Sequence, residues 1–121
     1  MKKVIVGFSI VMLMAGFSSA KELYRAPSAG DKGAYYILDK KQVNNMAQVL
    51  TSRIGKNNAY TDFTKLRINC DTKQFFVLAG SEEDGAKDNP SSELKDYSQN
   101  SKWTSLVQGS SKYDLVMYVC N

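Results

Sequence analysis

The sequence of 121 residues contains no histidine, two cysteines and two prolines. Without histidine, the chain cannot form a Ser-His-Asp triad, a Cys-His dyad or a zinc site with imidazole ligands. Carboxylates alone can catalyse glycoside hydrolysis, but they need a substrate cleft for which a chain of this size has little room. We therefore expect a protein that is not an enzyme, with no catalytic residues, no cofactor and no metal.

The amino-terminal residues have the pattern of a secretory signal peptide. Lys2 and Lys3 precede an almost entirely apolar run, Val4–Met14, and Ser18-Ser19-Ala20 supplies small side chains for a signal peptidase. We predict residues 1–20 as the signal, with cleavage between Ala20 and Lys21; an uncleaved anchor is the alternative. Loss of Lys2 and Lys3 would remove two positive charges from the formal net charge of +4, leaving +2, which does not favour nucleic-acid binding.

The cysteines, Cys70 and Cys120, both follow the predicted cleavage site. Disulfides persist outside the cytoplasm, and two cysteines allow a single intramolecular pairing. We expect a structural disulfide; a reactive or metal-binding pair is the alternative.

Several segments have the composition of β-strands in one domain covering residues 34–121. The run Ala34–Leu38 is aromatic and β-branched, and Met46–Ile54 resembles a longer strand, although its start is also compatible with a helix. Apolar and polar residues alternate at Leu66, Ile68 and Cys70, and Phe75–Ala79 is apolar at every position. A strand of that kind needs cover on both faces, so we expect an antiparallel hairpin beneath a helix.

The remaining segments are predicted as follows. Residues 21–33 are expected to be loose, and Ser81–Asn100 to form a long exposed acidic loop. Near the carboxyl terminus, Ser111 resembles a helix N-cap, and the spacing of Tyr113, Val116, Met117 and Cys120 predicts one helix face, with a final strand as the alternative. The predicted fold class is α+β: a single antiparallel sheet with a carboxyl-terminal helix packed on it and tethered by one disulfide.

The mature chain resembles the surface-adhesin protein E family of small exported Gram-negative proteins. The resemblance depends on four segments. Tyr35–Asp39 resembles an aromatic strand ending in Asp, and Arg67–Cys70 resembles a middle strand with a cysteine. Lys102-Trp103 with Val107–Ser110 resembles a Trp segment before a Gly-Ser break, and Tyr118–Cys120 resembles a closing helix with a cysteine. It implies the same sheet-and-helix fold, a location in the periplasm, on the outer surface or outside a Gram-negative cell, and a non-enzymatic role in binding host or envelope proteins.

Basic and aromatic side chains are the predicted binding residues: Tyr35, Lys65, Arg67, Lys73 and Trp103. Tyrosine and tryptophan offer contact area at low entropic cost, and the cations could bind an acidic polysaccharide. The alternative is an ordinary solvated strand face, on which lysines oppose aggregation. The leading functional hypothesis is an adhesin-like binding protein for a protein or acidic polysaccharide ligand. The runners-up are a periplasmic inhibitor or immunity protein and an accessory component of a secretion or conjugation system.

Overall fold

The structure is a computed structural model that describes residues 21–121. The predicted signal peptide, including Ala20, lies outside the described residues. The described residues form seven strands and one α-helix: β1 Glu22–Arg25, β2 Ala34–Val43, β3 Met46–Ile54, β4 Tyr60–Asn69, β5 Gln74–Asp84, β6 Lys95–Asp96, β7 Thr104–Ser105 and α1 Ser111–Cys120. In this part of the chain, no helix has the length and apolar content needed to cross a membrane.

All strand pairs are antiparallel and belong to one sheet. Strands β1 to β5 lie side by side in sequence order, and β6 and β7 both pair with the outer edge of β5. The β2–β3 turn contains Asn44 at φ 57°, and the β4–β5 turn contains Lys73 at the same φ. Asparagine enters this left-handed region more readily than most residues, which explains why the Asn44-Asn45 pair marks a turn.

The main core lies between the sheet and α1. Alternation along β4 buries Leu66 and Ile68 completely while Arg67 is exposed on the other face. The other members of the core come from neighbouring strands and from the helix: Ile37, Ala47, Val49, Leu115, Val116 and Val119. A disulfide joins Cys70 at the end of β4 to Cys120 at the end of α1, with 5.5 Å between their Cα atoms. The predicted fold class, including the tethered helix, is confirmed.

Helix α1 begins one residue earlier than its predicted cap implies. The N-cap is Ser110, whose hydroxyl accepts a hydrogen bond from the Tyr113 amide. The fully covered positions are Leu115, Val116 and Val119, rather than the predicted face at Tyr113, Val116, Met117 and Cys120. The helix is confirmed over the alternative strand, and its buried face is rotated from the predicted one, because Leu115 and Val119 pack against the core of the sheet.

The expectation that residues 21–33 are loose is wrong for their first part. Glu22–Arg25 pairs with β2 as strand β1. Arg25, which is only 9% exposed, donates to the Asp114 carboxylate at 2.7 Å and thereby connects β1 to α1. The pairing and this contact come from distant parts of the chain, so local composition could not reveal them.

The predicted long exposed loop at Ser81–Asn100 is corrected in part: residues 85–94 form no strand or helix and are mostly exposed, whereas the residues on either side of them pair in the sheet. Strand β5 continues to Asp84, and Lys95–Asp96 forms β6. Residues 85–94 lie over the sheet face opposite α1, where the fully buried Thr61 hydroxyl donates to the Gly85 carbonyl and accepts from the Lys87 amide. We call this segment the polar cover.

Candidate binding surface

A large part of the face opposite α1 lies beyond the polar cover. Strand register places Gln48, Arg67 and Phe76 in one row across β3, β4 and β5. Lys41 extends the row on β2, Lys65 lies two residues from Arg67 on the same face, and Trp103 packs against Phe76. We call these six residues the open face.

An aromatic pair forms one end of the open face. Trp103 lies directly before β7, and the pairing of Thr104 with Phe75 holds this segment against the edge of the sheet. The rings of Phe76 and Trp103 are tilted at 52° with centroids 5.6 Å apart, and Trp103 remains 38% exposed. The pair offers a rigid apolar area with an accessible indole, a combination that is common at binding surfaces.

Two cations lie beside this aromatic pair on the central strand β4. Within residues 21–121, no carboxylate lies within 4.0 Å of the Lys65 ammonium or the Arg67 guanidinium. Side chains two residues apart on a strand point to the same face with about 7 Å between their origins. The positive charges therefore remain available to anionic groups of a partner.

The structure brings three of the five predicted binding residues together: Lys65, Arg67 and Trp103. Lys73 lies in the β4–β5 turn, where its ammonium donates to the Cys70 carbonyl at 2.9 Å. Tyr35 faces α1 and is only 7% exposed, so it does not belong to the open face. Its position follows from the register of β2, in which Tyr35 lies opposite Arg53 on the helix side of the sheet.

Phe76 is the residue of this surface that sequence reasoning missed. The apolar run Phe75–Ala79 predicts cover on both faces, yet Phe76 is covered in part by Trp103. Its place beside a cation follows from the hairpin, because the turn at residues 70–73 puts Phe76 opposite Arg67. A predicted register for that hairpin would have placed Phe76 beside Arg67 from the sequence alone.

Tyr35 belongs instead to a polar cluster beneath the first turn of α1. Its hydroxyl donates to Asp31 at 2.6 Å and accepts from Arg53 Nε at 2.8 Å, and the Arg53 Nη1 donates to Tyr60. Burial, followed by the hydrogen bond to Asp31, raises the pKa of Tyr35, while that bond is the main cause that lowers the pKa of Asp31. The cluster thus connects the segment before β2 to strands β3 and β4.

Two of the acidic side chains after Ser81, Glu83 and Asp88, are engaged within the chain. Glu83 accepts from both the amide and the hydroxyl of Ser91, which lowers its pKa. Asp88 pairs with Lys21 at 2.8 Å, and its pKa is lowered chiefly by that hydrogen bond. These contacts hold the polar cover on the sheet, and the inhibitor or immunity hypothesis, which the long acidic segment suggests, stays a prediction.

Comparisons of the chain with protein-family models, with curated proteins and with solved structures give no match. The sheet, the helix and the disulfide define a small disulfide-bonded α+β protein. The resemblance to the surface-adhesin protein E family remains a prediction.

Proposed function

We propose that this chain is an exported, adhesin-like binding protein of the Gram-negative envelope that engages a host or envelope macromolecule without catalysing a reaction. The open face is its binding surface. The partner is a protein or an acidic polysaccharide that presents anionic groups to Lys65 and Arg67 and an apolar group to Trp103.

The observation that supports this proposal most is the placement of two cations, which have no carboxylate partner among residues 21–121, beside an accessible aromatic pair. Central, well-packed aromatic and arginine residues supply most of the energy at binding surfaces. Arg67 and Phe76 are direct cross-strand neighbours in the middle of the sheet, with Trp103 next to them. A sheet needs neither feature on a face that serves only to contact water, since alternating small polar residues would suffice.

The groups on the open face suit recognition. A guanidinium and an ammonium attract carboxylates and sulfates, and an indole supplies contact area, but none of the three is a ready proton acceptor at neutral pH. The same reasoning favours a partner with repeated negative charges, because two cations about 7 Å apart can bind two of them at once.

The test is a binding series with immobilised heparin and a panel of matrix and envelope proteins. The double variant Lys65→Gln/Arg67→Gln and the single variant Trp103→Ala should each raise the Kd of the true partner about tenfold or more. The charge variant should also flatten the dependence of affinity on salt, because it removes the ionic contacts.

The matched control is Lys56→Gln, which removes an exposed cation from the β3–β4 connection, away from the open face. It should leave affinity unchanged. Absence of saturable binding across the panel, or an equal loss of affinity in the control, would overturn the proposal.

A further inference from the structure

On the opposite side of the sheet, an open space separates the first turn of α1 from strands β3 to β5. It consists of a cavity of about 330 Å³ and a smaller one of about 120 Å³, which share Asp62, Thr64 and Lys112 as lining residues. We call this space the interlayer cleft. Its larger part reaches the lower end of the volume range of ligand pockets, about 300 Å³, but it is open to solvent, so it suits one small molecule that stays partly exposed.

One wall of the interlayer cleft is an aromatic platform. Tyr97 is 39% exposed, and its backbone amide is held by the Leu78 carbonyl at 2.9 Å. Its ring lies so close to Gly80 that a Cβ there would come within 3.1 Å of the ring and 3.0 Å of the Phe63 carbonyl oxygen. Glycine thus lets the partly exposed ring approach the sheet closely at the cleft, where the CH face of a ligand could stack on it.

Helix α1 contributes a positive charge to the cleft, from Lys112. Within residues 21–121, no carboxylate lies within 4.0 Å of the Lys112 ammonium, which lies over the Phe75 ring at 5.9 Å. Burial lowers the pKa of Lys112, and the charge of Asp62 opposes that change. A partly desolvated ammonium of this kind gains more from an anionic partner than a fully hydrated one does.

The remaining polar groups limit the charge of the ligand. Asp62 lies 4.0 Å from Arg53 Nη1, and Glu82 also lines the larger cavity. These carboxylates repel a dianion such as phosphate more strongly than a monoanion, and they accept hydrogen bonds from hydroxyl groups. Thr64, which lies two residues from Asp62 on the same face of β4, adds a hydroxyl.

We propose that the interlayer cleft is a second binding site, which takes a small monocarboxylate that carries several hydroxyl groups, of the sugar-acid class. The carboxylate lies at Lys112, the hydroxyl groups face Asp62 and Thr64, and the ring of the ligand stacks on Tyr97. The site does not depend on the open face, because the two occupy opposite faces of the sheet.

The experiment is an NMR titration of the oxidised protein, residues 21–121, with glucuronate and, separately, with glucose. Glucuronate should give saturable shifts centred on the amides of Gly80, Tyr97 and Lys112. Glucose lacks the carboxylate and therefore loses a charge-assisted hydrogen bond. Its Kd should be about tenfold higher than that of glucuronate, or higher still.

Two variants test the roles of the residues. Lys112→Met keeps the packing over Phe75 and should raise the Kd for glucuronate about tenfold, bringing it close to that for glucose. Lys56→Met removes an exposed lysine outside the cleft and should change nothing. Should Lys112→Met not fold, Thr64→Val provides the second variant, with a smaller loss for both sugars.

Equal affinity for glucuronate and glucose, an unchanged Kd in Lys112→Met, or shifts without saturation would each overturn the proposal. Shifts centred on Arg67 and Trp103 would show that the sugar acid binds the open face instead, which would also overturn it.

Discussion

The two faces of the sheet are covered by different physical means. Helix α1 covers one face with apolar side chains, of which Leu115 and Val116 are fully buried, and a disulfide ties its last turn to β4. The polar cover lies on part of the other face, where Phe63 is also buried, and it is held there by hydrogen bonds at Thr61 and Glu83 and one ion pair at Lys21.

This difference has a consequence for stability. Apolar burial and a covalent link depend little on pH or salt, whereas exposed ion pairs are screened by salt and contribute little free energy. We therefore expect the α1 side to unfold with the whole domain, and the polar cover to open locally at a lower free energy.

Removal of the disulfide should produce the largest effect. The link closes a loop with a sequence separation of 50 between Cys70 and Cys120, and the chain-entropy model assigns such a link about 4 kcal/mol. The double variant Cys70→Ala/Cys120→Ala should lose that much free energy of unfolding, measured by denaturant titration, and its Tm should fall by tens of degrees (about 4–8 °C per kcal/mol).

Reduced wild-type protein is the control for this variant and should unfold at nearly the same denaturant concentration. A midpoint equal to that of the oxidised protein would mean that apolar contacts alone hold α1, and the proposed role of the disulfide would be wrong.

The α1 side of the molecule was also the part whose structure could be predicted from the sequence. A period of two at Leu66, Ile68 and Cys70 and a helical spacing after Ser110 are local signals, and the pair of cysteines connects them. Strand β3 has the predicted bounds, Met46–Ile54. These local patterns did not predict which face of α1 is buried, because Leu115 and Val119 become buried through contacts with distant strands.

The other parts depend on pairings that no local pattern encodes. Acidic residues at the end of β5 resemble a loop in composition, yet Glu83 pairs with Thr61 in the sheet. Strand β1 is four residues long and forms only against β2. On the open face, Lys65, Arg67 and Trp103 were identified singly by residue type, whereas their grouping with Phe76 required the register of β5.

A smaller, local effect should follow from Thr61→Val, which keeps the shape of the buried side chain and removes its hydroxyl. The Gly85 carbonyl and the Lys87 amide lose a partner at 2.7 and 2.9 Å respectively. Unpaired buried groups cost about 1–3 kcal/mol, but residues 85–94 can instead move into water. Amide hydrogen exchange should therefore accelerate across the polar cover while α1 stays protected.

Thr51→Val is the matched control, since Thr51 is also buried but its hydroxyl makes a single hydrogen bond, to the Thr64 carbonyl on the α1 side. It should leave exchange of residues 85–94 unchanged. Equal acceleration in both variants would contradict a cover that depends on Thr61.

The smallest expected effect is an acid-induced opening of the polar cover. Hydrogen bonds from Ser91 lower the pKa of Glu83, and the hydrogen bond from Lys21 does the same for Asp88. A carboxylate whose pKa is lower in the folded state stabilises that state above its unfolded pKa, and the contribution disappears as the pH falls through the folded pKa. Below about pH 4, exchange at residues 85–91 should accelerate, allowing for the intrinsic pH dependence of exchange.

Glu83→Gln should reproduce part of that opening at neutral pH, because an amide lacks the charge that strengthens both hydrogen bonds from Ser91. The amides of Leu115 and Val116 serve as the internal control, since these residues lie on the buried face of α1. If these amides and the polar cover lost protection together as the pH fell, the two faces would behave as one cooperative unit despite their different chemistry. Separate transitions would show instead that charge governs one side of the sheet and apolar burial the other.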